Sequence, residues 1–470
     1  MATEEIGETK ASSSLLTAMR EKLALKPMWE KLTWTWKPET KREAGDAIVR
    51  NFLLHWFPAK VSLESLSWGY SFWLGTISAV LFLILTITGG ILMFLYVPSV
   101  ERAYLSVKDL EFSTSYGWFL RGLHRISAHL MVAVVFLHMV RVFLTGAFKN
   151  GRKAVGQNRP LNWIVGVALL LITLLLSFTG YLLPWDQLAY WAITVGTNIA
   201  SSAPVFGDPT RFILLGGTTI EQATLIRFYV LHCFLLPLAT FGLVSYHMWR
   251  VRKDGGLACT EKRYEEAKKQ EQPAIASKTY SLLGITGGSA VDVQNVMIDD
   301  EKDKVPSSPY MTVRLAVVTL ATLFISILLT LLVRAPLEEA ANPAVTPNPA
   351  KAPWYFLWLQ ELVTITTFTV GGITINGALI GGIILPGVLV AAAVLWPYFD
   401  KSPVSSIGKW LPKERKWQNR IFLFIVAAIL ILTFIGTYMR GHSGRSICRG
   451  RNGNRRRENS DRARRAIRDV

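Results

Sequence analysis

Long apolar stretches alternate with polar connections along the chain, and the apolar stretches are long enough to cross a membrane. A helix needs roughly 20 residues to span an apolar layer of about 30 Å. Seven charge-poor segments meet this length: Phe72–Val97, His129–Leu144 with its flanks, Trp163–Leu183, Phe228–Trp249, Leu315–Val333, Ile373–Trp396 and Ile421–Tyr438. Their apolar residues run continuously, whereas the strands of a transmembrane barrel alternate. The pattern predicts an all-α membrane protein with seven transmembrane helices.

Polar segments divide the chain into five parts: an N-terminal extension (1–68), a four-helix membrane domain (69–252), a linker (253–309), a three-helix membrane domain (310–440) and a tail (441–470). Within the extension, 51–68 mixes aromatic and polar residues. This stretch is either an interfacial helix or an ordinary connection. The polar start of the chain predicts that no signal peptide is cleaved.

Composition and charge narrow the class of protein. Apolar residues make up 51% and charged residues 18%, against roughly 25% charged residues in soluble domains. A soluble enzyme, a disordered chain and a disulfide scaffold therefore fit poorly. The net charge is +18, and Lys and Arg concentrate in the N-terminal extension and in every second connection. This bias places the N-terminus on the inner side and explains much of the charge without nucleic acid.

Four histidines form two pairs on two of the predicted helices. His124 and His138 lie on the second helix, and His232 and His247 lie on the fourth. The members of each pair are about 21 Å apart along the axis and face the same side. Two such helices side by side form two stacked His–His sites, which fit bis-imidazole ligation of haem iron. His129 faces about 140° away from His124, and we interpret it as structural.

Glycines repeat this spacing on the other two helices. Gly75 and Gly89 lie 14 residues apart on the first helix, and Gly166 and Gly180 lie 14 residues apart on the third. A residue without a side chain lets a flat macrocycle approach the backbone. The alternatives are that the glycines only promote helix packing and that each histidine is only a satisfied polar residue. Polar groups within a membrane, however, usually mark function.

Three stretches carry a family resemblance: GLHRISAHLMVAVVFLHMVRVFLTG, LLLITLLLSFTGYLLPWDQLAYWAITVGTNIASSAPVFG and FYVLHCFLLPLATFGLVSYH. They resemble the cytochrome b subunit of quinol–cytochrome c oxidoreductases, the cytochrome bc and bf complexes, and the resemblance covers about residues 70–440. The 15-residue histidine spacing and the WDQ sequence are similar to the plastid and cyanobacterial bf branch. The region from Leu315 resembles the separate three-helix subunit of bf complexes, here fused to a di-haem four-helix bundle.

The resemblance implies ligands for two non-covalent b-type haems. His124 and His232 match the ligands of the low-potential haem on the outer side. His138 and His247 match those of the high-potential haem nearer the inner side. Arg121 lies one turn before His124, where the family has a partner for a haem propionate, which is a cation beside a carboxylate.

The resemblance also implies an outer quinol-oxidation site, built from the connections after the third and fifth helices. Its candidate residues are Tyr181, Pro184, Trp185, Trp191, Ala192, Ile193, Thr194, Pro353, Trp354 and Tyr355. Pro353 stands where the family motif has a glutamate that is thought to accept a quinol proton. Asp186 and Glu361 are the nearby carboxylates that could replace it. We favour Glu361, because it lies in an otherwise apolar run, a costly place for a charge.

Two further residue sets concern the inner side. Arg252 and Lys253, just beyond His247, are the best cationic candidates for the inner quinone site. In the bf branch a cysteine before the first glycine of the first helix holds an extra haem covalently. Trp73 takes that position here, so we expect no covalent haem. The chain has three cysteines and no CxxC or CxxCH motif, so a c-type haem and a cysteine-ligated cluster have no attachment site.

The implied function is bifurcated quinol oxidation coupled to proton translocation. One electron passes to a Rieske-type iron–sulfur protein and on to a c-type cytochrome subunit. The other crosses through the two haems to the inner quinone site. The substrate is a quinol, menaquinol or another, and the resemblance suggests a homodimeric complex among the lipids of a bacterial inner membrane.

Two other classes of function stay open. A di-haem membrane anchor that relays electrons between quinone and a peripheral dehydrogenase or hydrogenase needs the four histidines. It needs neither the PWDQ nor the APWYF sequence, and both are present here. A non-redox transporter or scaffold would show no b-type absorbance.

The tail from Ser443 to Val470 carries ten Arg and three acidic residues. The seventh helix delivers it to the outer side, where such clusters are disfavoured. It is either a basic arm for an acidic partner or lipid head groups, or a stretch outside the natural reading frame. Under the second hypothesis, one inserted base restores an aromatic continuation after Arg440–His442 that is similar to related bacterial chains. That hypothesis predicts a disordered tail.

Overall fold

The computed structural model describes residues 60–151, 157–258, 304–347 and 350–440. The predictions for the N-terminal extension up to residue 59, for linker residues 259–303 and for the Arg-rich tail, including its reading frame, lie outside these ranges.

The described ranges are mainly helical. Their helices of eight residues or more are α1 Leu74–Leu95, α2 Ala103–Phe112, α3 Gly117–Leu144, α4 Arg159–Tyr181, α5 Gln187–Ser201, α6 Gly207–Leu215, α7 Gln222–Lys253, α8 Ser307–Leu332, α9 Trp354–Thr366, α10 Gly377–Phe399 and α11 Lys413–Met439. By length and composition, α1, α3, α4, α7, α8, α10 and α11 can cross a membrane. The predicted all-α fold with seven transmembrane helices is therefore confirmed.

The sixth membrane helix starts later than its hydrophobic pattern predicts. Residues Phe368–Val370 (β3) and Ile373–Ile375 (β4) form an antiparallel hairpin. Gly371 and Gly372 make the turn with φ angles of 58° and 85°, values that favour glycine and suit a two-residue hairpin turn. The apolar residues from Ile373 onward therefore extend the hairpin first, and α10 begins only after it.

A second short sheet joins the two halves of the chain. Lys60–Ser62 (β1) pairs antiparallel with Lys304–Pro306 (β2), and a 3-10 turn follows at Glu64–Leu66. In the described part of the 51–68 stretch the chain is therefore a strand and a 3-10 turn, and because residues 51–59 lie outside the described ranges, the choice between an interfacial helix and an ordinary connection stays a prediction. Trp73 precedes α1 and packs with Val318 of α8 in a buried cluster, and the absence of a covalent haem at this position stays a prediction.

The C-terminal half packs on the four-helix bundle through α8. Its buried face repeats every four residues at Val318, Thr322, Ser326 and Thr330. The three hydroxyls each donate to the carbonyl four residues earlier, at 2.7–2.8 Å, so the face presents small side chains with satisfied polar groups. Such faces allow close approach of membrane helices, and the Thr330 methyl lies against Gly122 of α3.

A buried ionic cluster joins three elements at the opposite end of the bundle from the aromatic connections. The Arg415 guanidinium donates to Asp400 at 3.0 Å and to the Phe143 carbonyl at 2.6 Å. Lys149 lies 3.3 Å from the same carboxylate. The cluster fixes the end of α10 and the start of α11 to the end of α3.

Candidate functional site

The four paired histidines face one another between α3 and α7. The ring centroids of His124 and His232 are 6.2 Å apart, and those of His138 and His247 are 6.5 Å apart. An imidazole nitrogen binds a first-row metal at about 2 Å and its ring centre lies about 1 Å further, so two axial ligands of one ion have centroids roughly 6 Å apart. Both pairs therefore have the separation that one metal between them requires.

Hydrogen bonds fix the tautomers of the outer pair. His232 Nδ1 lies 3.1 Å from the Leu176 carbonyl, which only accepts, so Nδ1 carries the proton. His124 Nδ1 lies 2.9 Å from the Thr88 hydroxyl, which donates its own hydrogen to the Ile84 carbonyl at 2.7 Å. Both imidazoles therefore keep an unprotonated Nε2, the form that binds a metal.

Each glycine of the repeated spacing lies beside one of these imidazoles. A Cβ added at the glycine would meet the imidazole Cε1 at 3.3 Å for Gly75 and His138, 3.1 Å for Gly89 and His124, 3.6 Å for Gly166 and His247, and 2.6 Å for Gly180 and His232. The helices α1 and α4 thus present bare backbone to the histidines of α3 and α7. A larger residue at the tightest position would displace the ring.

A π-helical turn explains the unequal spacing of the two histidine pairs. The turn covers Leu231–Leu235 of α7 and contains His232. A π-turn holds one residue more than an α-turn. The 15 steps from His232 to His247 therefore cover the same depth and direction as the 14 regular steps from His124 to His138. A sequence count with regular helical geometry misses this turn.

The guanidinium group of Arg121 forms hydrogen bonds with three other residues of the chain. Its guanidinium donates to Glu111 at 2.8 Å and to the carbonyls of Ala335 and Pro336 at 3.0 and 2.5 Å. It therefore ties α3 to α2 and to the segment after α8. A role toward a haem propionate stays a prediction.

The connections that follow α4 and α8 are joined by hydrogen bonds. The Ala341 amide donates to the Trp185 carbonyl at 3.1 Å, and the Trp191 indole donates to the Val345 carbonyl at 3.0 Å. Trp185 and Ile193 are buried in one core cluster beneath this junction. The two segments that the sequence assigns to one outer site therefore lie together.

The remaining candidates of the first connection have mainly packing contacts. Ala192 packs against the same core cluster, and Pro184 is half-buried. The Thr194 hydroxyl donates to the Tyr190 carbonyl within α5, at 3.0 Å. These residues shape the site without offering it a free polar group in the described contacts.

Aromatic side chains from α3, α4 and α9 meet at this junction. His129, Tyr181, Trp354, Tyr355 and Phe356 form what we call the outer aromatic cluster, with neighbouring ring centroids 4.9–6.4 Å apart. Sequence reasoning placed Tyr181, Trp354 and Tyr355 here but missed His129. Its direction on the helix could have indicated this place, since His129 faces away from the four paired histidines. Burial raises the pKa of Tyr355 to about 12.

Both candidate carboxylates have protein partners. Glu361 is buried and accepts from Arg440 Nε at 2.9 Å and Nη2 at 2.8 Å. Asp186 caps α5 by accepting from the Ala189 amide at 2.9 Å, and it also accepts from the Glu338 amide at 3.3 Å. Burial raises the pKa of Asp186, and these two hydrogen bonds oppose that rise.

The two candidate residues for the inner quinone site lie at the exposed end of α7. The side chains of Arg252 and Lys253 are exposed, and the Lys253 ammonium lies 4.9 Å above the Trp249 ring. Arg250, which the sequence did not single out, is buried and pairs with Asp254 at 2.7 Å. A contact of Arg252 or Lys253 with quinone stays a prediction.

Facing histidine pairs at two depths in a membrane bundle define a haem-binding electron-transport protein, and comparisons with known proteins identify its family. The family described as cytochrome b/b6/petB matches residues 60–255, and the one described as cytochrome b(C-terminal)/b6/petD matches residues 340–447. The chain belongs to the cytochrome b/b6 family, with a four-helix b6-like part and a subunit-IV-like part in one polypeptide. Such proteins are the haem b subunits of quinol–cytochrome c oxidoreductases.

Individual relatives agree with this assignment. The chain is 42% identical to the cytochrome b6 of Prochlorococcus marinus strain AS9601 over 182 residues, which are 39% of this chain and 80% of the relative. The cytochrome b6 of strain MIT 9301 gives the same values. A solved hyperthermophilic respiratory Complex III is similar with a TM-score of 0.59 and 26% identity, covering 78% of this chain and 84% of that chain.

Proposed function

We propose that this subunit carries out bifurcated quinol oxidation. At the outer aromatic cluster, one electron of the quinol leaves for a Rieske-type iron–sulfur protein and then a c-type cytochrome. The other leaves for the inner quinone site across the membrane, and protons are released on the outer side. The observation that carries this proposal is the presence of two facing histidine pairs in the same bundle as the joined outer connections.

His124 with His232 and His138 with His247 are the residues that would hold two non-covalent b-type haems. Unprotonated Nε2 atoms in the outer pair and ring separations of 6.2 and 6.5 Å support this assignment. The glycines leave room for a flat group beside each ring. Bound there, the haems supply one-electron carriers at two depths of the membrane.

The outer site binds and orients the quinol with groups of this chain. The rings of Tyr181 and Phe356 offer apolar faces to a quinol ring. Buried Trp185 and Ile193 hold α5 against the core and exclude water. Glu361 is the proposed proton acceptor, and its ion pair with Arg440 must loosen when it takes a proton.

Joined outer connections favour this function over a di-haem membrane anchor. An anchor that only relays electrons has no need for the hydrogen bonds from Ala341 to Trp185 and from Trp191 to Val345. Iron–sulfur and c-type cytochrome subunits are the proposed partners, because the similar solved structure is a respiratory Complex III. A homodimeric complex in a bacterial inner membrane, with the N-terminus in the cytoplasm, completes the proposal, and the distribution of Lys and Arg supports that orientation.

Bifurcated oxidation predicts that an added oxidant increases the reduction of b-type haem. In the purified complex, with quinol present and the inner quinone site blocked, addition of an oxidant for the c-type cytochrome should increase the reduction of b-type haem. Oxidation of the iron–sulfur partner frees the acceptor for the first electron, and only then can the second electron leave the quinol. A sample without quinol is the control. Oxidation of the b-type haem by the same pulse would contradict bifurcation and favour the anchor.

A further inference from the structure

One histidine of the outer aromatic cluster is held in a defined orientation by an indole. The Trp354 Nε1–H donates to His129 Nδ1 at 3.0 Å. An indole nitrogen only donates, so Nδ1 of His129 holds a lone pair and the neutral ring carries its proton on Nε2. The same contact fixes the plane of the imidazole. His129 therefore presents one N–H group of known position.

This N–H group is free to meet a ligand. In the described part of the chain, His129 Nε2 has no hydrogen-bond partner, and the residue is only partly buried. The ring lies edge-on to Tyr355, with centroids 5.6 Å apart, so it borders the motif that the family uses at its outer site. A polar side chain on a membrane helix is energetically costly, and such residues usually have a function.

The neighbouring carboxylates are already engaged, and Arg125, one turn before His129 on α3, is a second donor whose charge acts on both His129 and Tyr355. Pro353 has no polar side chain, so the position of the family glutamate offers no hydrogen bond. Glu361 accepts from Arg440, and Asp186 accepts from two backbone amides. A quinol oxygen that enters the cluster beside Tyr355 therefore finds His129 as a donor.

We propose that His129 is a quinol-binding residue of the outer site, and that its Nε2–H donates to one ring oxygen of the quinol and of the product quinone. Trp354 is the positioning residue, because it holds the tautomer and plane of the imidazole. This inference rests on the proposed quinol oxidation at the outer aromatic cluster. It adds a binding group on α3 to a site otherwise built from the two outer connections.

The test uses the intact complex, four single variants and the double variant that combines His129→Leu with Trp354→Phe. His129→Leu removes the donor, and His129→Gln keeps an amide N–H of similar reach. Trp354→Phe removes the indole N–H that orients the imidazole. Trp358→Phe is the matched control, because its indole donates to the Tyr355 carbonyl in its own helix at 2.9 Å. For each variant, kcat and KM for quinol are measured together with the b-type haem spectrum.

Loss of one neutral hydrogen bond predicts a KM for quinol roughly 3- to 10-fold higher in His129→Leu. His129→Gln should recover part of this loss. Trp354→Phe should raise KM less, and it should add nothing in the His129→Leu background, because the two residues act through one contact. The haem spectrum and the KM of Trp358→Phe should stay at wild-type values.

An active wild-type complex with an unchanged KM in His129→Leu would overturn the inference while leaving the proposed function intact. A wild-type complex without quinol–cytochrome c reductase activity would instead overturn the proposed function. Where His129→Leu yields no haem-loaded complex, His129→Gln and Trp354→Phe decide. A wild-type KM in both overturns the inference, and raised KM values with a normal spectrum support it.

Discussion

Gly180 has the least free space of the four glycines beside the imidazoles. A Cβ there would lie 2.6 Å from Cε1 of His232, a distance at which the ring must move. We predict that Gly180→Ala displaces His232 and lowers the content of the outer haem to less than half. Gly166→Ala is the matched control, because its Cβ would lie 3.6 Å from His247, an ordinary contact. Haem content per chain, from the pyridine haemochrome spectrum, checks both; equal retention would contradict the assigned contacts.

Variants of the ion pair between Glu361 and Arg440 can distinguish a catalytic role of Glu361 from a role in anchoring α9 to α11. If Glu361 accepts a quinol proton, Glu361→Gln should slow quinol oxidation and alter its pH profile, because the amide cannot take that proton. Arg440→Gln breaks the same pair but keeps the carboxylate, so it should retain the pH-dependent step. Each variant should lose roughly 1–3 kcal/mol of stability, as expected for hydrogen bonds to a charged group.

The comparison of these two variants decides the assignment. Turnover and stability that fall equally in both, with one unchanged pH profile, would make Glu361 an anchor of α9 to α11 and leave the site without its proposed base.

At the level of secondary-structure elements, ion pairs of Asp400 hold the end of α10 in place. Burial acts to raise the pKa of Asp400, but hydrogen bonds from Ser402 and the charges of Arg415 and Lys149 lower it below its ordinary value. A carboxyl with a lowered folded-state pKa stabilises the protein above its unfolded pKa of about 3.9, and this contribution is lost as the pH falls through the folded value. The cluster therefore stabilises the fold at neutral pH and weakens in acid.

We predict that Asp400→Asn lowers the free energy of unfolding at neutral pH by roughly 3–5 kcal/mol, because it leaves Arg415 as a buried charge without its partner carboxylate. The Tm of the purified complex, followed by its b-type absorbance, measures the loss. Lys401→Gln removes an exposed neighbouring charge and should change stability by less than about 0.5 kcal/mol. A Tm of Asp400→Asn equal to that of the control at neutral pH would show that the cluster contributes little.

The positions of helices could be predicted from the sequence only where a long hydrophobic run determines them. The seven membrane helices follow from uninterrupted hydrophobic runs. The helices α2, α5 and α9 are short and partly exposed, so they lack that signal. Gly371 and Gly372 delay the start of α10 by a hairpin turn that competes with the hydrophobic pattern. The π-turn at His232 is visible in sequence only as a spacing of 15 instead of 14.

The site shows the same limit at the level of single residues. Spacing alone predicted that His124, His138, His232 and His247 form two facing pairs, because the number of residues between two positions sets their relative direction on a helix, and the π-turn at His232 keeps that direction over 15 residues. His129 could not be assigned this way. Its partner Trp354 lies 225 residues further along the chain, and only the packing of α9 against α3 brings them together.

At the scale of the molecule, one chain joins two parts of the cytochrome b/b6 family. The small-residue face of α8 lies against α3, and the pairing of β1 with β2 joins the end of the N-terminal extension to the end of the polar linker. The histidine pairs lie on α3 and α7, whereas the proposed outer site needs both parts. We therefore predict that His138→Ala removes the inner haem and leaves the outer haem, because the two ligand sets are about 21 Å apart.

A redox titration of the purified complex, followed by its b-type absorbance, counts the haem sites. Two one-electron components of equal amplitude are expected in the wild-type complex and one component in His138→Ala. A single component in the wild-type complex, or no b-type absorbance with bis-histidine character, would contradict two stacked haem sites.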